Sequence, residues 1–63
     1  MENEIIELKK GIAISLNYIG NIYSAQGDIP KAMEYWRKSL KIYEEIGDKK
    51  GIVAIYNQHW NYL

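Results

Sequence analysis

The tetrapeptide Lys-Lys-Gly-Ile stands at residues 9–12 and again at residues 49–52, and this forty-residue offset constrains the fold more than any other feature of the chain. Laid over one another at that offset, residues 1–23 and 41–63 agree at Glu4/Glu44, Ile6/Ile46, Lys9/Lys49, Lys10/Lys50, Gly11/Gly51, Ile12/Ile52, Asn17/Asn57 and Asn21/Asn61. Self-similarity at a period of about 20–50 residues marks stacked supersecondary units, none of which can bury its apolar face alone. The 63 residues hold one full period, 9–48, and the opening half of a second, 49–63. Typical domains run to about 100–150 residues, so residues 1–63 form a single domain at most.

Inside the period the spacing is helical. Ala32, Tyr35, Trp36, Ser39, Leu40, Tyr43 and Ile46 recur at steps of three and four, which lines them along one stripe. Asp28 stands where it can cap the free amides of that helix, Pro30 falls in a first turn whose nitrogens lack intrahelical partners, and Gly47 supplies a left-handed end. The helix is expected over residues 29–46. Upstream, Ile5, Leu8, Ile12, Leu16, Ile19 and Tyr23 share a face, and a helix is expected over 3–26, ended by Gly27, with Gly11 costing about 1 kcal/mol relative to Ala. A third helix over 49–63, capped by Asp48, would turn Ile52, Ile55, Tyr56, His59 and Leu63 inward. The expected fold class is all-α, with three helices in antiparallel succession.

Composition removes several classes of function. Eight Lys and Arg balance eight Asp and Glu, so no electrostatic footprint points to nucleic acid or to an anionic membrane. Uninterrupted apolar runs are far shorter than the ~20 residues needed to cross a bilayer, and no signal-peptide core follows Met1, which reads as a cytoplasmic protein. With no cysteine and one histidine, neither a disulfide framework nor a metal site is expected, and no cofactor is implied. The Asp residues sit at caps and the Ser residues have no base beside them, so no catalytic constellation forms. Six Tyr and two Trp without Phe favour rings that keep one edge wet, as thin helical layers allow.

The stretch Leu-Asn-Tyr-Ile-Gly-Asn-Ile-Tyr-Ser-Ala-Gln-Gly-Asp-Ile-Pro-Lys-Ala-Met-Glu-Tyr-Trp-Arg-Lys-Ser-Leu, residues 16–40, resembles the tetratricopeptide repeat. Leu16, Ile19, Gly20 and Tyr23 match the pattern of its first helix, Gly27 its turn, and Ala32, Trp36 and Ser39 its second helix. The forty-residue period resembles the long variety of that repeat, whose joint reads Gly-Asp-Lys-Lys-Gly as at 47–51. The resemblance implies a right-handed superhelix of helix pairs that binds proteins or peptides in a concave groove, and it implies no catalysis. Carried over by position, the groove would be lined by Ile14, Asn17, Tyr18 and Asn21, continued by Ala54, Asn57, Gln58 and Asn61. Ile14 and Tyr18 stand where the family's carboxylate clamp has Lys, Arg or Asn, so a clamp for a peptide C-terminus is not expected.

At the offset partner of Gly20 stands Trp60, too bulky for the close helix contact that the family builds there. Three helices of a stacked array leave an apolar face uncovered, and self-association is the simplest way to hide it. One and a half units read as an excised or engineered fragment that forms a homodimer, including a helix-swapped one through the joint at Gly47. Its expected contact residues are Ile55, His59, Trp60, Tyr62 and Leu63. The other expectation is a monomeric module that binds a protein or peptide through the Asn-lined groove.

Overall fold

The computed structural model describes residues 2–62 and contains three α-helices, α1 (Glu2–Ala25), α2 (Ile29–Ile46) and α3 (Lys49–His59), followed by a 3-10 turn over Trp60–Tyr62. No strand occurs among the described residues. The body is elongated, 40 × 17 × 12 Å, because α1 alone is about 36 Å long at 1.5 Å per residue.

Both joints are built from the same Gly-Asp pair. At the first, Gly27 takes φ +85°, its amide donates to the Ser24 carbonyl at 3.0 Å and the Asp28 amide donates to the Tyr23 carbonyl at 2.9 Å. At the second, Gly47 takes φ +71°, with its amide on Glu44 at 3.2 Å and the Asp48 amide on Tyr43 at 2.9 Å. Each is a left-handed helix end that satisfies two orphan carbonyls, and only glycine adopts that backbone without strain. Each aspartate then opens the following helix: Asp28 accepts from the Lys31 amide at 3.3 Å and Asp48 from the Gly51 amide at 3.1 Å. The Gly51 amide holds the Asp48 carboxyl below its usual range, with Lys10 adding to the effect. One residue thus ends one helix and starts the next, which forces a tight antiparallel reversal.

α1 and α2 approach closely because the residues between them are small. Ala13, Gly20, Ala32 and Ser39 are all buried, and the Ser39 hydroxyl donates to the Ala13 carbonyl at 2.6 Å. α3 closes the lower half of the pair with Ile55, which forms the core with Ala13 and Tyr43 and is flanked by Leu40, Ile42, Ile46 and Ile52. Lys9 pairs with Glu45, and Lys10 Nζ lies 3.4 Å from Asp48, so the first Lys-Lys-Gly-Ile copy lies against the joint that introduces the second. The Lys9–Glu45 pair is exposed and adds little stability, whereas the Asp48 side chain is only 16% exposed at its joint.

The α2 stripe and the helix order match the sequence expectations. Three expectations are corrected. α1 turns Ala13 and Gly20 inward, with Leu16 and Tyr23 half-buried, whereas Ile5, Leu8, Ile12 and Ile19 of its aliphatic stripe are exposed. The close contact with α2 admits small residues, and the aliphatic row lies to one side of it. The α-helix of 49–63 stops at His59 and tightens to a 3-10 turn, and Tyr56, expected inward, is exposed. Leu63 lies outside the described residues.

The two copies of the repeated glycine have opposite surroundings. A Cβ on Gly51 would collide with the Tyr43 ring, whereas a Cβ on Gly11 would meet nothing within 4 Å. Gly11→Ala should therefore raise stability by about 0.5–1 kcal/mol through helix propensity alone. Gly51→Ala should lower it by about 1–3 kcal/mol through overpacking. Urea denaturation followed by far-UV circular dichroism would check both, and equal shifts of one sign would contradict this packing.

Candidate functional site

Trp36 is the side chain around which all the elements meet. Its indole lies in the notch left by Gly20, where a Cβ would come within 2.5 Å of the ring. The indole nitrogen donates to Asn21 Oδ1 at 3.1 Å, which satisfies the polar edge of a buried ring. The His59 imidazole stacks on its face with ring centroids 3.6 Å apart and planes 10° from parallel, and the Tyr62 ring leans against it at 5.6 Å and 37°. His59 Nε2 lies 3.0 Å from Asn17 Oδ1, a hydrogen bond in the tautomer that carries its proton on Nε2. The Asn17 amide nitrogen points to Gln58 Oε1 at the outer limit of bonding, 3.5 Å. Farther up the pair, Tyr23 stacks on Tyr35 at 5.5 Å, with Lys31 and Lys38 ammonium groups over the two rings.

This geometry redistributes the residues expected in the groove. Ile14, Tyr18, Asn57, Gln58 and Asn61 are exposed. Asn17 is half-buried and bridges α1 to α3, and the Asn21 carbonyl oxygen is occupied by Trp36, so this pair braces the fold. Among the residues expected to mediate self-association, Trp60 is 67% exposed and Tyr62 44%. Ile55 and His59 are corrections, because both are buried within the chain, against Ala13 and Tyr43 and against Trp36. Sequence reasoning missed Val53 and Tyr56, which stand exposed on the outer side of α3 at helical spacing with Trp60. That row of 53, 56 and 60 is the signal that would have found them.

The family model for the tetratricopeptide repeat matches residues 13–46, which is 34 of the 63 residues. The chain belongs to the tetratricopeptide repeat family. Searches of curated proteins and of solved structures returned no match. The matched span covers the Gly20–Trp36 notch and the Ser39–Ala13 contact. This tetratricopeptide unit is therefore a helical repeat of the protein-interaction kind, with α3 outside the match. Among the described residues no helix is long and apolar enough to cross a membrane, and no group of three or more acidic, His or Cys side chains could hold a metal ion.

Burial pushes the His59 imidazole below the ordinary histidine range, with the Gln58 backbone opposing weakly. A depressed folded-state value means that the unfolded chain takes up the proton first as pH falls. The stability contributed by neutral His59 is then complete above the unfolded value of about 6.5 and declines as pH drops below it. His59 is the sole histidine, so it dominates the window from about pH 6.5 to 5, above the range in which Asp48 and Glu45 titrate. The melting temperature should fall across that window, and His59→Gln should flatten the slope. A parent profile that stays level from pH 7 to 5 would contradict the assignment.

Proposed function

We propose that this chain is a non-enzymatic tetratricopeptide interaction module that associates with itself, as a homodimer, through apolar helix surface left uncovered by its fold. The observation that carries this reading is the imbalance between core and surface. The buried hydrophobic residues are Ala13, Ala32, Trp36, Tyr43 and Ile55, whereas large apolar side chains on α1 and on the α3 end stand 37% to 69% exposed. Contiguous apolar patches of more than a few hundred Å² on a soluble chain mark interaction surfaces. The closed joint at Gly47 and Asp48, fixed by two turn bonds and a cap, favours pairing of whole bundles over exchange of helices. The groove reading has weaker support, since the carbonyl oxygens of Asn17 and Asn21 are already engaged within the chain.

Sedimentation equilibrium over a concentration series checks the proposal. The weight-average mass should rise from the 7.4 kDa of one chain towards twice that value below ~100 μM, the range of modest specific affinities. A mass that remains at one chain throughout would sink it. Asn17→Ala with Asn21→Ala should leave any pairing in place while lowering stability, because those side chains brace Trp36 and His59.

A further inference from the structure

The exposed face of α1 carries a pattern that its packing against α2 and α3 does not use. Ile5, Leu8, Ile12, Ser15, Ile19 and Ile22 follow one another at steps of three, four, three, four and three. That is the 3.5-residue repeat of a helix-to-helix seam. It runs for about 26 Å along a 24-residue helix, and all six residues are exposed. We infer that this row is the pairing face, and that its occupant is the α1 of a second copy of the chain; the inference rests on the self-association proposed above.

Three observations favour a second copy. The row contains no charged residue, so laying it on itself sets no like charges face to face. Its step pattern reads the same in both directions, so a two-fold axis brings every layer into register. Its size is also right. Ile5, Leu8, Ile12, Ile19 and Ile22 are 54, 69, 52, 37 and 51% exposed, which at about 200 Å² for a large side chain in the open is roughly 500 Å² of apolar surface. A standard interface takes about 800 Å² from each partner, and homodimers make about 65% of it apolar, again close to 500 Å². The outer row of α3 is shorter: Val53, Tyr56 and Trp60 span two turns, beside Lys49 and Lys50.

The test compares Leu8→Glu/Ile12→Glu with Val53→Glu/Trp60→Glu by sedimentation equilibrium, with circular dichroism confirming helix content. All four positions are exposed, so neither pair removes a core side chain. The α1 variant should weaken pairing at least thirtyfold, and the α3 variant should stay within threefold of the parent. Mixing the α1 variant with Ser15→Lys/Ile19→Lys, the exposed positions that the two-fold sets opposite residues 12 and 8, should restore a two-chain species that neither forms alone, as happens only if row meets row. Pairing that survives the α1 substitutions, or a mixture that stays monomeric, overturns the inference. A parent that pairs but is abolished by the α3 substitutions overturns this face while leaving self-association intact. A parent that is monomeric at ~100 μM removes both.

Discussion

The close contact between α1 and α2 at Gly20 and Trp36 is the constraint from which the rest of the structure follows. A missing Cβ on one helix lets the pyrrole edge of an indole from the other enter the gap, and Ala32 and Ser39 keep the backbones near enough for a hydroxyl-to-carbonyl bond. Once Trp36 is fixed, its outer face is a platform, and His59 and Tyr62 settle on it. α3 is therefore positioned by an aromatic stack at its C-terminal end and by Ile55 near its middle. So small a chain has little core to lose, since domains of about 60 residues bury only a modest share of their surface.

The paired Gly-Asp joints convert that contact into a repeat. Because the joints reverse the chain within three residues at the first and two at the second, α1 and α3 run side by side in the same direction. Positions about forty apart then become neighbours: Ala13 meets Ile55, and Asn17 meets His59. The recurrence of Lys-Lys-Gly-Ile is the linear trace of that geometry. Its two copies nevertheless do different work. Lys9 and Lys10 of the first reach Glu45 and Asp48, while Gly51 of the second makes room for Tyr43.

Helix number, type and both joints were legible because they depend on local chemistry: a three-to-four spacing, a left-handed glycine and a capping aspartate. The α2 stripe was legible because α2 packs on both neighbours, so its apolar row and its buried row coincide. The aliphatic row of α1 misled, since hydrophobicity and burial separate there: the helix buries its small residues and exposes its large ones. The Asn residues were read as a groove from position alone. Their hydrogen bonds to Trp36 and His59 join residues 15 and 42 apart in sequence, and no local pattern announces such a pair.

The sequence by itself determined that this chain is a helical repeat of the tetratricopeptide kind, because period, caps and the alternation of small and large residues are encoded within a few positions of one another. Only the tertiary structure decided which apolar residues are inside. That choice depends on how near two helices can come, and the distance is set by pairs such as Gly20 with Trp36 whose partners lie on different helices. The same close approach that buries Trp36 and His59 turns the row from Ile5 to Ile22 outward, and with it the surface that a partner would meet.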